Sequence, residues 1–310
     1  MKILIIGADG QLGSALVKVL GNEELIPLTW EDIEICNFDQ TRDIICKKTP
    51  EIVINLAAFH QVDLCEDEAE KAFATNVFAV RNLAQICRDL GITLVHFSTD
   101  FVFGRDCSTP YREDDLPNPL SVYAASKLAG EYFVKNICQK HFLIRTCGLY
   151  GTGKSSKPHK NFVEIMLKLA ADMKPIKVVN DQVLTPTYTK DLALAVAHLI
   201  KTNHYGLYHI TNNGSCSWYE FAMAIFELAQ IPVDLSPVTS SEFKTKAKRP
   251  AYSVLDNYNL RKVGLDDLRD WREALRDYLQ ARTQQISIPP LLHPSLFTSS
   301  LLPESNIKRD

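Results

Sequence analysis

Short apolar segments alternate with stretches of helical periodicity along the first half of the chain. An apolar run bounded by glycine or polar residues is typical of a buried parallel strand, whereas apolar residues three and four apart indicate a helix. The predicted strands cover residues 3–6, 24–28, 52–56, 94–97 and 142–145, and the predicted helices cover residues 41–48, 70–90 and 122–137. This alternation predicts an α/β fold with a Rossmann-like, doubly wound parallel sheet.

Three glycines follow the first predicted strand and precede a helical pattern. Gly7, Gly10 and Gly13 have the spacing GxxGxxG, which is one residue longer in its first gap than GxGxxG. Gly7 permits a tight turn, Gly10 lets the backbone approach a pyrophosphate, and Gly13 lets the helix pack closely on the strand. Such a turn can exist without a ligand, but its position favours a dinucleotide site that also includes Gln11 and Leu12.

A tyrosine and a lysine stand four residues apart in the segment Tyr123-Ala-Ala-Ser-Lys127. Residues four apart lie on one face of a helix, so the ammonium of Lys127 is expected near the phenol of Tyr123. A free tyrosine has a pKa of about 10, and a neighbouring positive charge lowers it toward neutrality. The pair therefore predicts a proton donor, although tyrosine and lysine are also common on solvated helix faces.

Composition narrows the classes of function. The chain has 310 residues, 46% of them hydrophobic, and a formal net charge of −3, which is typical of a globular protein and gives no reason for binding nucleic acid or membranes. The first strand begins at residue 3 and no apolar stretch approaches a membrane span, so a cytoplasmic protein is expected. Eight cysteines form no CxxC pair, which favours buried thiols over a metal site or disulfides.

Residues 148–155, GLYGTGKS, match the phosphate-binding pattern GxxxxGK[ST]. A working phosphate loop runs directly into a helix, whereas the polar, proline-containing segment 155–160 follows here. The prediction is a flexible loop over the active site, whose lysines either meet a substrate phosphate or are simply solvated.

The combined motifs resemble the extended short-chain dehydrogenases/reductases and, more narrowly, the dTDP-4-dehydrorhamnose reductases. The resemblance spans residues 1 to about 282. It is carried by residues 53–66 (VINLAAFHQVDLCE), 97–103 (FSTDFVF), 110–131 (PYREDDLPNPLSVYAASKLAGE) and 249–255 (RPAYSVL).

The resemblance implies that NADPH or NADH delivers hydride to the C4 ketone of a 6-deoxy-4-ketohexose attached to dTDP. Tyr123 would protonate the C4 oxygen, Lys127 would lower the pKa of Tyr123 and contact the nicotinamide ribose, and Thr99 would donate to the same oxygen. Asp100 is a second candidate sugar contact. Phe101 stands where related dehydratases have glutamate, so reduction is preferred.

Other members of the superfamily leave alternatives open. These are another nucleotide-sugar 4-ketoreductase, an epimerase that recycles tightly held NAD, and a regulatory protein similar to the β subunit of methionine adenosyltransferase. Some relatives have tryptophan after their Arg-Thr-Ser strand end, whereas this chain reads Cys147-Gly148, which leaves the identity of the sugar open.

Further binding residues follow from the same resemblance. Ala57, Ala58 and the pair Glu34-Ile35 would contact the cofactor, although Glu34 is equally a surface carboxylate. Many NAD enzymes place an acid at the end of the second strand. Neither Thr29 nor Trp30 is acidic, so NADPH is weakly preferred.

The substrate would be bound mainly by the C-terminal part of the chain. Asn161 and Arg249 match segments around the nucleotide sugar, and Arg249 would hold the diphosphate unless it forms a surface ion pair. The predicted division is a cofactor-binding core over residues 1–150, rejoined by about 185–207, and a substrate lobe over 151–184 and 208–282. Predicted helices over residues 218–229 and 270–281 belong to that lobe or to its junction with the core. A flexible tail would follow over 283–310. Some relatives form dimers through Mg²⁺ and acidic residues. No residue here matches those acidic residues, so neither metal nor dimer is carried over, and the oligomeric state stays open.

Overall fold

The computed structural model describes residues 1–152 and 161–287. Its strands are β1 (Lys2–Ile6), β2 (Glu24–Leu28), β3 (Ile52–Asn55), β4 (Thr93–Thr99), β5 (His141–Thr146), β6 (Leu149–Tyr150), β7 (Ile176–Val179), β8 (Val183–Leu184), β9 (Thr187–Tyr188), β10 (Gly206–His209), β11 (Cys216–Ser217) and β12 (Leu235–Val238). Its α-helices are α1 (Gln11–Val19), α2 (Phe38–Lys48), α3 (Val62–Asp67), α4 (Ala69–Phe73), α5 (Val80–Leu90), α6 (Val122–Ile137), α7 (Phe162–Ala171), α8 (Thr189–Leu199), α9 (Trp218–Ala229), α10 (Tyr258–Lys262) and α11 (Trp271–Ser287).

A six-stranded sheet forms the centre of the molecule. Its strand order is β2-β1-β3-β4-β5-β10, and every neighbouring pair is parallel. The chain moves outward from β1 to β2 on one side and to β3 on the other. Loops that leave β1 and β3 at this reversal diverge, and ligands of doubly wound folds bind in the resulting crevice.

Both faces of the sheet are covered by helices, as the apolar runs of its strands require. Ile3 and Ile5 pack with α1 and α8 on one face, whereas Leu4 and Ile6 pack with α2, α5 and α6 on the other. Alternate side chains of a strand point to opposite faces, so a strand buried on both sides is apolar throughout. The predicted α/β fold with a doubly wound parallel sheet is confirmed.

One predicted helix is divided into several segments in the structure. The segment predicted as a single helix over 70–90 consists of α4, a π-helical segment (Ala74–Ala79) and α5, and the short helix α3 precedes it. The π-helical segment brings Asn76 against its neighbours across the fold, a contact that local sequence does not encode.

A smaller lobe lies beside the sheet and has its own apolar core. Helices α7, α9 and α11 enclose Tyr150, Phe221 and Tyr278, and β7 pairs with β12 at the edge of this lobe. Helix α11 continues to Ser287, past the predicted helix end at residue 281. Residues 288–310 of the predicted tail lie outside the described residues. No helix in the described part of the chain is long and apolar enough to cross a membrane.

Candidate active site

A cavity of 490 Å³ opens at the carboxyl ends of the central strands. The loops after β1, β3, β4 and β5 form its sheet side, and the smaller lobe supplies the opposite wall. Nothing in the sequence indicated most of the residues that form that wall. Its lining includes Gly148, Gln182, Val183, Leu184, Trp218, Pro250 and Ser253.

The glycine turn lies at one end of this cavity. Gly7 has a φ of +81°, which favours glycine, and a Cβ on Gly13 would lie 2.3 Å from the carbonyl oxygen of Gly7. Helix α1 begins directly after the turn, and Gly10 caps it without a side chain. The first N–H groups of a helix attract anions, so the turn fits the pyrophosphate of a dinucleotide.

Asn161 connects the smaller lobe to the glycine turn. It caps α7 by accepting a hydrogen bond from the backbone N–H of Glu164 at 3.1 Å. Its Nδ2 group donates to Oε1 of Gln11 at 3.1 Å and to the carbonyl oxygen of Gly151 at 3.2 Å. The side chain is thus fully hydrogen-bonded within the protein, and it fixes Gln11, which lines the cavity.

Tyr123 and Thr99 meet inside the cavity. Ser121 caps α6 by accepting from the N–H of Ala124, which places Tyr123 in the first turn of this helix. Thr99 ends β4, and its side chain is hydrogen-bonded to the Tyr123 hydroxyl. Burial raises the pKa of Tyr123, and the bond to Thr99 only partly opposes this rise. Tyr123 therefore carries its proton at neutral pH.

The hydroxyl of Thr99 has hydrogen-bond partners within its own loop. Thr99 Oγ1 donates to Oδ1 of Asp100 at 3.0 Å and accepts from the N–H of Phe101 at 3.2 Å. Because a threonine hydroxyl has one proton, its donation to Asp100 competes with its donation to the Tyr123 oxygen. The predicted donation from Thr99 to the substrate oxygen stays a prediction.

Lys127 lies one helical turn beyond Tyr123 and is 3% exposed. Its Nζ donates to the carbonyl oxygen of Phe97 at 2.7 Å. Burial lowers the pKa of Lys127 to about 8, against a smaller opposing effect of Glu131. Burial raises the pKa of Tyr123 in this structure, and the lowering of that pKa by Lys127 stays a prediction.

Asp100 lines the cavity and is 3% exposed. Its Oδ2 accepts from the Cys147 thiol at 2.9 Å, and Ser253 of the smaller lobe is a further hydrogen-bond partner. Burial raises the pKa of Asp100, and these bonds oppose it. Its carboxylate thus holds Thr99 and joins the two lobes.

Asn76 supports the same region, although its position within a predicted helix gave no signal of this role. Its Oδ1 accepts from the N–H of Phe59 at 2.9 Å, and its Nδ2 donates to Oγ of Ser126 at 3.0 Å. One amide therefore fixes both the loop after β3 and the helix that carries Tyr123.

The remaining predicted site residues lie at different distances from this centre. Ala58 lines the cavity and Ala57 precedes it on the same loop. Glu34 is exposed and Ile35 is buried in the core, and neither lines the cavity. These last two residues lie within the loop between β2 and α2.

Arg249 is likewise absent from the cavity lining of the described residues. Its Nη2 donates to Oδ2 of Asp63 at 2.8 Å, the ion pair that the sequence left open. Its Nη1 is buried with no hydrogen-bond partner in the described part of the chain. Of the segment 148–155, only residues up to Thr152 are described, and the rest of the predicted loop lies outside them.

Comparison with known proteins identifies the group of enzymes to which this site belongs. The family described as RmlD substrate binding domain matches residues 1–284. The chain belongs to this family. A relative from Bacillus subtilis, the spore coat polysaccharide biosynthesis protein SpsK, is 43% identical over 284 residues, which cover 91% of this chain and 98% of the relative.

Solved structures of the family agree with the fold. A dTDP-4-dehydrorhamnose reductase from Clostridium acetobutylicum is 42% identical, has a TM-score of 0.87, and covers 91% of this chain and 100% of its own. The same enzyme from Bacillus anthracis, in complex with NADP, is 38% identical with a TM-score of 0.86 and equal coverage of 91% and 100%. A UDP-glucose 4-epimerase from Thermus thermophilus, at 21% identity, shares the fold.

Proposed function

We propose that the protein is a nicotinamide-dependent reductase that converts dTDP-4-dehydro-L-rhamnose to dTDP-L-rhamnose, a precursor of cell-surface polysaccharide. The observation that carries this proposal is the meeting of Tyr123, Thr99 and Lys127 in one cavity with the glycine turn at its end. The reductases among its relatives support the substrate class.

The cofactor would be held by the glycine turn and by Lys127. The N–H groups at the start of α1 would hold the pyrophosphate. Lys127 Nζ, which already donates to a carbonyl, has further protons that would bind the nicotinamide ribose. When bound, NADH or NADPH supplies a hydride to the C4 carbon of the sugar.

Tyr123 would supply the proton that completes the reduction. Its raised pKa keeps the phenol protonated at neutral pH, so it can donate to the C4 oxygen as negative charge develops there. The C4–O π bond breaks, one C–H bond forms from the hydride, and one O–H bond forms from the tyrosine proton. Thr99 and Asp100 hold the phenol in position for this transfer.

Phe101 argues against dehydration at the same site. Its ring meets that of Tyr123 edge to face, with centroids 6.1 Å apart and an angle of 80° between the rings. Elimination of water from the sugar needs a further acid or base, and Phe101 provides neither. The aromatic contact instead restricts the rotation of the Tyr123 ring.

The nucleotide end would be recognised by the smaller lobe. Arg249 precedes the cavity residue Pro250, and its buried Nη1 is an available donor for a diphosphate oxygen. Trp218, in the first turn of α9, lines the same wall and offers a flat surface to the base or sugar. We place this activity in the cytoplasm, where nucleotide sugars and reduced nicotinamides are available.

The test is an assay of cofactor oxidation with purified protein and dTDP-4-dehydro-L-rhamnose. Turnover is expected, and Tyr123→Phe should lower kcat by about 10²- to 10⁴-fold while cofactor binding persists. Tyr132→Phe is the matched control, because Tyr132 is an exposed tyrosine of the same helix.

Other outcomes distinguish the alternatives. Turnover only with another dTDP-4-ketosugar would keep the reductase and change the sugar. No turnover with any such sugar, together with stable binding to methionine adenosyltransferase, would replace the reductase by the regulatory role.

A further inference from the structure

Asp100 is a buried carboxylate whose hydrogen bonds come from three separate parts of the chain. Thr99 ends β4 and donates to its Oδ1 at 3.0 Å, and Cys147 follows β5 and donates to its Oδ2 at 2.9 Å. Ser253 lies in the smaller lobe and is a third side-chain partner. These three donors are neutral and Asp100 is charged when ionised, so each bond is stronger than one between two neutral groups.

Cys147 and Ser253 also contact each other. The Ser253 side chain is a hydrogen-bond partner of the Cys147 thiol, and burial raises the pKa of this thiol well above its usual range. Cys147 therefore keeps its proton and acts as a donor. Both residues line the cavity, and both are buried. The N–H of Ser253 donates to the carbonyl oxygen of Val183 at 2.9 Å, which fixes Ser253 within the smaller lobe.

The single hydroxyl proton of Thr99 has two acceptors within reach. It is donated to Asp100 in this structure, and the same side chain is hydrogen-bonded to Tyr123. When Tyr123 gives its proton to the sugar, the phenol becomes a phenolate, and a hydroxyl that turns toward this oxygen stabilises the charge. That turn removes one donor from Asp100. The buried carboxylate then depends on the donors that remain.

Resting on the proposed function, we propose that Cys147 and Ser253 are positioning residues for the reduction. They hold the Asp100 carboxylate while the Thr99 hydroxyl turns from Asp100 to the Tyr123 phenolate. No bond of Thr99 is broken, since only its O–H group rotates. The pair acts through Asp100 and Thr99 rather than on the sugar or the cofactor. Because Ser253 belongs to the smaller lobe, the position of this lobe against the sheet affects the step.

Steady-state kinetics with dTDP-4-dehydro-L-rhamnose and the cofactor test this role. Cys147→Ala and Ser253→Ala should each lower kcat about tenfold, as expected for a lost hydrogen bond to a charged group, and leave KM for the sugar unchanged. Cys147→Ser keeps a donor at the same place and should retain most of the wild-type kcat. Cys87→Ala removes a buried thiol of α5 outside the cavity lining, and this control should change neither constant.

Infrared spectroscopy of the protein without added ligand follows Asp100 directly. A protonated carboxyl group has a carbonyl band that an ionised one lacks, and the loss of a band in Asp100→Asn identifies the band of this residue. Hydrogen bonds to the ionised form favour it, so the Asp100 band should persist to higher pH in Cys147→Ala and Ser253→Ala. In Cys147→Ser it should titrate close to the wild type.

Several results would overturn the positioning role. One is a wild-type kcat, or an unchanged Asp100 titration, in both alanine variants. Another is an equal fall of kcat in Cys147→Ala and Cys147→Ser, because packing rather than donation would then explain it. A rise of KM at unchanged kcat would instead place the two residues in sugar binding.

Failure of the proposed function would look different. The intact protein would then show no turnover with any dTDP-4-ketosugar. The infrared titration needs no substrate, so an unchanged Asp100 band in the alanine variants would still overturn the contact on which the positioning role depends.

Discussion

Replacing Lys127 by methionine tests the energetic account of the active site. A buried ammonium whose pKa falls from 10.5 to about 8 is destabilised in its charged form by about 3 kcal/mol at neutral pH. Methionine has similar length and no charge, so Lys127→Met removes this penalty. It also leaves the carbonyl of Phe97 without its donor, which costs about 1–3 kcal/mol.

The dependence on pH separates these two effects. Between pH 8 and 10.5 the unfolded chain holds the lysine proton more tightly than the folded chain, so this group makes wild-type stability rise with pH. From pH 7 to pH 10 the rise in the free energy of unfolding amounts to about 2–3 kcal/mol. The methionine variant lacks this rise in stability. The loss of the hydrogen bond to Phe97 lowers its stability equally at pH 7 and at pH 10.

The assay is urea unfolding at 25 °C from pH 7 to pH 10 for both proteins. The stability of the variant relative to the wild type should decrease by about 2–3 kcal/mol across this range. Lys168→Met, at an exposed position of α7, should follow the wild-type curve throughout. Parallel curves for Lys127→Met and the wild type would refute a buried lysine with a lowered pKa.

Three further changes address other parts of the structure. Gly13→Ala places a Cβ 2.3 Å from a backbone oxygen of the turn. This variant should lose cofactor binding in calorimetry, and unchanged affinity would contradict the tight turn. Glu131 contacts Arg145 at 2.7 and 2.9 Å, and Glu131→Gln removes the counter-charge of this arginine. The free energy of unfolding in urea should fall by about 3–5 kcal/mol. A fall of less than about 1 kcal/mol would argue against burial of this pair. Asn161→Ala removes the α7 cap and should lower the free energy of unfolding by about 1 kcal/mol. Cofactor binding should weaken as well, because Gln11 loses its partner. A loss of stability at unchanged affinity would limit Asn161 to a capping role.

Helices with strong local signals could be predicted closely from the sequence. The predicted bounds of α6 and α9 agree with the structure because Ser121 and Ser217 cap them, the latter within a capping box with Glu220. The break in the helix predicted over 70–90 depends instead on Asn76, whose partners lie 17 and 50 residues away.

The same difference holds for the candidate site, where neighbouring residues could be predicted from the sequence and contacts between distant residues could not. Tyr123 and Lys127 share a helix, so their spacing alone predicted a common location. Arg249 has a partner 186 residues away in Asp63, and no pattern in the sequence indicates that pairing.

The insertion of β10 at the edge of the sheet has a consequence for how the chain folds. Its pairing with β5 joins Gly206 to Phe142 and His209 to Arg145, so the last sheet strand is synthesised some sixty residues after its neighbour. Until then β5 presents an unpaired edge to other nascent chains. A fragment that ends at residue 150 would therefore self-associate, and productive folding has to wait until the ribosome has released His209.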